Sequence, residues 1–433
     1  MPTDSVGAPV FSTPPLAELL CEATRLVVAV ASGRSLSGEL ERVAEKNEIP
    51  RAALIDLTHG TLRRYGRVQA LEQQLEMRGG TDPTVSALLW CSFCALDLSR
   101  YAPYTVVDQA VRACALLGRP RAKGFVNAVL RRLLRDRSRI EAAIAADEQA
   151  RWWHPAWWIE AVRRSHPDKW QDVLGSGNSR PPMALRVNLR RTSMREYHAR
   201  LQAEGLAARP LAEATLVLER PVPVARLPGF LTGEVSVQDA GAQRAAPYLD
   251  LTVGQRVLDA CAAPGGKSAH ILETAAVSLT ALDVDPLRSA QIERNFARLG
   301  LRAQVKIADC IRLDTWWDGA AYDRILADVP CSSSGVVRRN PDIKWLRRPT
   351  DISAFATRQS AILDALWRVL APGGKLLYVT CSVFAEENEA VIGAFCARTS
   401  QAHRLALPSG AAAQLLPDAE HDGFYFALVT KRT

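Results

Sequence analysis

"RVLDACAAPGGKSAHIL", Arg256–Leu272, is the stretch from which the rest of the chain can be read. An apolar run of strand length leads into a turn of Ala, Pro and Gly, and apolar residues at helical spacing follow. Strand, tight turn and helix start in that order open a βαβ unit. Four further strand-like runs succeed it: "SLTALDVD", "AQVKIADC", "YDRILADVP" and "KLLYVTCS". Such alternation predicts a doubly wound α/β sheet, whose ligands lie beyond the carboxyl ends of the strands.

Three ligands suit a strand-turn-helix of this kind. A phosphate-cradling P-loop requires G-x-x-x-x-G-K-[ST]; Gly266, Lys267 and Ser268 fit, but the required first glycine is Cys261. A dinucleotide fingerprint requires G-x-G-x-x-G, and the only close pair is Gly265-Gly266. S-adenosylmethionine carries no phosphate and needs carboxylates for its ribose and acceptors for its adenine amino group. Acidic residues end the strand-like runs at Asp259, Asp283, Asp309 and Asp328, and Asp283 follows Asp259 by 24 residues. That spacing is close to the offset at which an acidic residue holds ribose hydroxyls in doubly wound folds.

Two of these runs end at a cysteine, "DVPCSSSG" at Cys331 and "VTCSVFAEEN" at Cys381. A doubly wound sheet can place their strands side by side. Thiols there suit one demanding reaction. A pyrimidine C5 accepts a methyl group only after a nucleophile adds at C6, and a thiolate serves if its site lowers the thiol pKa. Position alone does not say which cysteine attacks.

Outward from this region the pattern changes. From Leu16 to Ala146 apolar residues recur at helical spacing, with breaks at Gly79-Gly80, Pro103 and Gly118 to Pro120, which predicts an all-helical domain. Its last helix, "GFVNAVLRRLLRDRSR", places Phe125, Val126, Val129, Leu130 and Leu133 on one face. Between Arg119 and Arg139 there are eight Lys or Arg against one Asp, a surface suited to RNA or simply to water. In "RWWHPAWW", Arg151 to Trp158, packing two domains together is a better use of four tryptophans than base stacking, and Pro155 suits a helix start. "ALRVNLRRTS" from Ala184 reads as a strand carrying Arg186 and Asn188, followed by a helix over 193–204, hence a small α+β module.

Length and composition agree with several folded domains. A chain of 433 residues suggests two to four. A net charge of +8 favours an anionic partner. Nine cysteines, odd in number and irregular in spacing, argue for a reducing compartment rather than a disulfide framework, so the cytoplasm is the expected location. No leader, membrane segment or metal site is expected; Cys91-x-x-Cys94 lacks a second ligand pair and lies in an apolar helical run.

"DACAAPGGK", "DVPCS", "RRNPDIKWLRR" and "TCSVFAEEN" together resemble the bacterial RsmB/Fmu-type RNA cytosine-C5 methyltransferases, with "SVQDAGAQ" and "DGFYFA" similar to flanking elements of that group. The pattern departs at Ser332 to Ser334, where relatives often have a small residue early, and at Ala385, where a proline is common. The resemblance implies three parts: a NusB-like helical RNA-binding domain over 14–148, linker helices and an RRM-like α+β module over 149–233, and a Rossmann-like class I methyltransferase domain over 234–433. It implies S-adenosylmethionine in the loop Cys261, Ala262, Ala263, Pro264, Gly265, Gly266 and Lys267, with Asp283 on the ribose, Asp309 near the adenine and Asp328 near the methionine end. It further implies that Cys381 is the nucleophile, that Cys331 assists breakdown of the adduct, and that Asp328 and Lys267 hold the target ring. The substrate so implied is a cytosine of 16S rRNA, unassembled or partly assembled, methylated by a monomer. A tRNA methyltransferase, or a non-catalytic RNA-binding or antitermination factor, would be the alternatives, and the base that removes the C5 proton is left open.

Overall fold

Residues 16–44, 50–75 and 81–432 are described in the computed structural model of the protein. The domain start expected at residue 14 and the break at Gly79-Gly80 lie outside them. The chain divides into two units: one comprises residues up to Glu160 together with Asn340–Arg347, the other Ala161–Arg339 and Arg348 onward.

Among the described residues the first unit is entirely helical. Helix Pro83–Leu98 lies at its centre. Its start follows from local chemistry, since Asp82 accepts from the Thr84 N–H and Pro83 occupies the first turn. Every residue from Val85 to Leu96 is buried, Cys91 and Cys94 included. The basic stretch is two helices, Lys123–Arg135 and Arg137–Ile144. Val126, Val129, Leu130 and Leu133 are buried as the periodicity predicts, but Phe125 is 41% exposed. It precedes Val126 by one residue, about 100° around the helix, and so falls at the edge of the apolar stripe. In the tryptophan block Trp158 is buried beside His154, 5.9 Å between ring centroids, and Trp153 lies under the Arg64 guanidinium.

Asn340–Arg347, the middle of "RRNPDIKWLRR", belongs to this helical unit. Trp345 packs edge-on against Tyr65, 4.5 Å between centroids, and donates to the Leu62 carbonyl at 2.9 Å. Lys344 is buried with its ammonium on the carbonyls of Arg63 and Trp153, and burial pushes its pKa well down.

The second unit contains two sheets. Strands β1 (Met183–Val187), β2 (Ala208–Ala212), β3 (Thr215–Leu218) and β4 (Val235–Val237) form an antiparallel sheet in the order β2-β3-β1-β4. The helix after β1, Met194–Ala203, begins in a capping box between Ser193 and Glu196. Arg186 is buried against Glu273 at 2.9 Å, and the amide of Asn188, the residue after β1, donates to Gly233, so both polar residues are satisfied inside.

The large sheet is built from β5 (Arg256–Asp259), β6 (Ser278–Asp283), β7 (Gln304–Ile307), β8 (Tyr322–Asp328), β9 (Leu370–Thr380), β10 (Ala402–Leu405), β11 (Gln414–Leu415) and β12 (Phe424–Lys431). Its order is β10-β12-β9-β8-β5-β6-β7, with β11 on β12. β5 to β9 are parallel, and β10, β11 and β12 antiparallel. Chain order reverses between β5 and β8, the switch point where doubly wound sheets open a crevice. β9 starts earlier than the sequence suggests, because Leu370 already pairs with Tyr322 before the Pro-Gly-Gly irregularity.

The same unit contains a buried ion cluster. Arg338 is 1% exposed and donates through Nε to Asp422 Oδ1 at 2.5 Å, while Asp422 is 0% exposed. Arg339 bonds the other Asp422 oxygen and reaches Asp239 at 2.8 Å. Three separate segments, the Cys331 loop, "SVQDAGAQ" and "DGFYFA", are thereby tied together. Removing one partner of such a pair leaves a buried charge uncompensated. Asp422→Ala is therefore expected to lose about 3–5 kcal/mol in urea unfolding. Asp364→Ala, which breaks the exposed Arg398–Asp364 pair, is expected to lose about 0–1 kcal/mol.

Candidate active site

The Arg256–Leu272 stretch folds as a strand, a turn and a helix, Gly266–Thr274. Asp259 ends β5 inside the protein, where its Oδ2 accepts from Ser268 Oγ at 2.5 Å. Its Oδ1 is buried without a donor. The turn is pinned along its length: Ala262 N–H donates to Leu282 at 2.9 Å, and Ala263 N–H to Asp283 Oδ2 at 3.0 Å. Arg288 and Asn295 donate to the carbonyls of Ala263 and Pro264. Gly265 has φ +95° and a Cβ there would stand 3.1 Å from the Ile292 backbone, so both conformation and space demand glycine. Cys261 lies beside Cys310, and that contact together with burial pushes its thiol pKa well up, so it is held neutral.

The other acids sit at neighbouring strand ends. Asp283 Oδ1 accepts from the Asp285 N–H, which with the Ala263 bond leaves the carboxylate fixed at the end of β6. Asp309, after β7, is ion-paired with Arg358 at 3.2 Å rather than with the turn. Asp328 ends β8 and receives Lys267 Nζ at 2.6 Å. Burial works against the Lys267 charge, but Asp328 more than offsets it and the ammonium pKa is raised.

β8 and β9 run parallel in register, Asp328 opposite Val379, so the residues that follow emerge together. Cys331 Sγ and Cys381 Sγ are 3.4 Å apart. The two loops are also joined through the backbone, Gly335 N–H to Cys381 O at 2.8 Å. A Cβ on Gly335 would lie 2.4 Å from Gly423 O, so the close pass of this loop against Gly423 needs glycine. The pair titrates unequally. The bond from Cys331 lowers the Cys381 thiol, aided by Ser333 and Lys267 against burial and Asp328. The same bond, with burial and the nearby Glu387, raises Cys331 well above the usual thiol range. The site thus offers one thiol disposed to ionise, one that stays protonated, and an ammonium-carboxylate pair.

Sequence reasoning overlooked the groups that hold this arrangement. Ser332, Ser334 and Ser382 form a buried hydroxyl cluster, with oxygens 3.1–3.3 Å apart, and Glu387 lies beneath it. Ser332 to Ser334 lie within the quoted "DVPCSSSG", and Glu387 lies within the quoted "TCSVFAEEN". The available signal was the presence of acids and hydroxyls within motifs that otherwise read as apolar strand ends. Asp239 and Asp422 were likewise inside quoted stretches without a role.

A model described as 16S rRNA methyltransferase RsmB/F matches residues 246–430, an RsmF/B-like ferredoxin-like domain model residues 154–225, and a NusB family model residues 22–135. Ribosomal RNA small subunit methyltransferase B of Vibrio cholerae is 41% identical over 419 residues, 95% of this chain and 96% of that protein. The protein of the same name from Pseudomonas putida is 40% identical over 427 residues, 94% and 97% of the two chains. The crystal structure of PH0851 shares the fold, with a TM-score of 0.79 at 22% identity over 99% of this chain and 100% of that one. A methyltransferase homolog protein from Pyrococcus horikoshii superposes with a TM-score of 0.58 at 26% identity, covering 66% of this chain and 98% of that one.

Burial pushes the Asp259 carboxyl up to about 7, against about 4 in an unfolded chain. Folding takes up a proton here, so this stability is fully present below about pH 4 and is lost as pH rises through 7. Asp259→Asn removes the ionisation. Its stability relative to wild type is expected to rise by about 3 kcal/mol between pH 5 and pH 8, the cost of ionising the buried carboxyl being about 1 kcal/mol at the lower pH and about 4 at the higher. Urea unfolding at the two pH values reads the difference.

Proposed function

This chain belongs to the RsmB/F family of 16S rRNA methyltransferases, and on that premise we propose that it methylates C5 of a cytosine in 16S rRNA through a covalent bond from Cys381 to C6 of the base. The observation that carries the reading is the 3.4 Å contact between two thiols of opposite disposition, beside the Lys267–Asp328 pair.

S-adenosylmethionine is the cofactor of the family and supplies an electrophilic methyl group when bound. The residues present fit it. Asp259 has a buried oxygen that lacks a donor, and the strand ends present carboxylates where a phosphate would need cations. In this reading the loop from Cys261 to Lys267 cradles the cofactor, Asp283 takes the ribose hydroxyls, Asp309 lies near the adenine and Asp328 near the methionine end.

The Cys381 thiolate gives its electron pair to C6, and the C5–C6 π electrons become available at C5, where bound S-adenosylmethionine would supply the methyl carbon, its S–CH3 bond breaking so that the sulfonium leaves as a neutral thioether. Lys267 and Asp328 hold the ring and stabilise the charge it acquires. After methyl transfer a base removes the C5 proton. The electrons of the C5–H bond re-form the double bond while the C6–S bond breaks, returning Cys381 as a thiolate. Cys331, held protonated in contact with that sulfur, assists its departure. An RNA-binding scaffold would need neither thiol, nor the ion pair beside them.

A stacked base must be extruded to reach such a pocket at a cost of about a few kcal/mol, which favours a loop or incompletely assembled rRNA. Among the described residues no helix is long and apolar enough to cross a membrane. The proposal includes a cytoplasmic monomer divided near 148 and 233 into helical, α+β and catalytic parts.

Wild type, Cys381→Ser and Cys331→Ser are compared on unmodified small-subunit rRNA with S-adenosylmethionine, scoring methyl transfer and denaturant-resistant protein–RNA adducts. Cys381→Ser is expected to abolish both, with transfer reduced at least about a thousandfold. Cys331→Ser is expected to accumulate adduct. Adduct formation by Cys381→Ser at the wild-type level would overturn the assignment.

A further inference from the structure

Cys331 and Cys381 each lie in a loop just beyond a strand end, and a thiol–thiol contact is too weak to hold two loops at 3.4 Å. The residue after each cysteine is a serine, and both serines bond to one carboxylate. Ser332 N–H donates to Glu387 Oε1 at 2.7 Å, and Ser382 O–H donates to Oε2 at 2.6 Å. Gln359 Nε2 donates to Oε1 at 3.3 Å and to the Pro330 carbonyl at 3.0 Å, so the residue before Cys331 is held as well. The Tyr378 hydroxyl, from β9, donates to the Glu387 carbonyl at 2.6 Å. Asn388 completes the grip on the Cys381 loop, donating to Ser382 O at 2.9 Å and accepting from Thr380 Oγ1 at 2.6 Å.

Glu387, Gln359, Ser332 and Ser382 are all 0% exposed. Glu387 has no Lys, Arg or His in ion-pair range among the described residues, and burial raises its pKa. A buried carboxylate without a cation is costly, and an amide would meet most of the same donors at less cost. What only the carboxylate adds is a negative charge beneath the cysteine loops. That charge is felt at Cys331, where it opposes ionisation.

We propose that Glu387 is the positioning residue of the thiol pair: by gripping the residue after each cysteine it sets their contact, and its charge keeps Cys331 the hydrogen-bond donor and Cys381 the nucleophile. The inference deepens the covalent reading above and rests on it for its catalytic meaning. Its geometry predicts that reach and charge are separable. Gln keeps the reach and removes the charge. Asp keeps the charge but is one methylene too short to serve both serines.

The test uses the full chain. Glu387→Gln and Glu387→Asp are compared with wild type by site-resolved iodoacetamide alkylation of Cys331 and Cys381 over about pH 6 to 10, without RNA. Single-turnover methyl transfer to unmodified small-subunit rRNA and S-adenosylmethionine binding are measured alongside. In Glu387→Gln the preference for Cys381 over Cys331 is expected to fall about tenfold, the effect of one pKa unit. Methyl transfer should fall at least as far, with S-adenosylmethionine affinity unchanged. Glu387→Asp should keep the alkylation preference and lose single-turnover rate. Should Glu387→Gln not fold, Ser382→Ala removes one grip without touching the charge, and is expected to change Cys381 alkylation while leaving Cys331 as it was. An unchanged alkylation profile in folded Glu387→Gln would overturn the proposal, even if activity fell, because a purely structural role predicts that result. If alkylation shifts as expected while Cys381→Ser still forms adduct, the covalent reading fails and the positioning role survives.

Discussion

The parallel pairing of β8 with β9 is the constraint on which the rest of the site depends. With Asp328 opposite Val379, and Val329 N–H bonded to Val379 O at 3.0 Å, the two chains leave the sheet from the same edge at the same height. Cys331 follows three residues after one partner and Cys381 two after the other, so their sulfurs meet. A shift of one residue in this register would move Cys381 by about 3.3 Å and turn its side chain to the other face. Asp328 ends the same β8, which brings Lys267 from the next strand's turn to the thiols. One pairing register therefore sets the positions of four functional groups.

Around this edge the protein retains buried charge that a purely stabilising design would remove. Asp259 is kept with an oxygen lacking a donor, and Glu387 without a cation among the described residues. Other buried charges are compensated: Lys267 pairs with Asp328, Arg186 with Glu273, and Arg338 and Arg339 with Asp239 and Asp422. The distribution makes physical sense. Compensated charges can tie loops together, whereas uncompensated ones retain the field needed to bind a ligand or bias a thiol, at a cost in stability carried by the rest of the fold.

Much of this was legible in order along the chain. The strand runs of β5 to β8 were short, apolar and ended by acids, so they and the turn after β5 could be placed from pattern alone, whereas β9 begins before the run that marked it. The helical spacing of Val126, Val129, Leu130 and Leu133 marked a buried face correctly, while Phe125 fell at its rim and faced outward. Arg186 and Asn188 were read on one strand, but their burial was not, because their partners Glu273 and Gly233 lie 87 and 45 residues away.

The sequence by itself determined the element types, the glycine turn that excludes a P-loop, and the two cysteines at strand ends, since these follow from local periodicity and side-chain chemistry. Only the tertiary structure decided which charges are buried together. It brought Asp422 to Arg338 across 84 residues and Ser332 to Glu387 across 55. It also assigned Asn340–Arg347 to the helical unit, apart from the strands that flank it. Strand order and register are set by burial over the whole sheet, and a buried charge is defined by what surrounds it, so neither is written in any one segment.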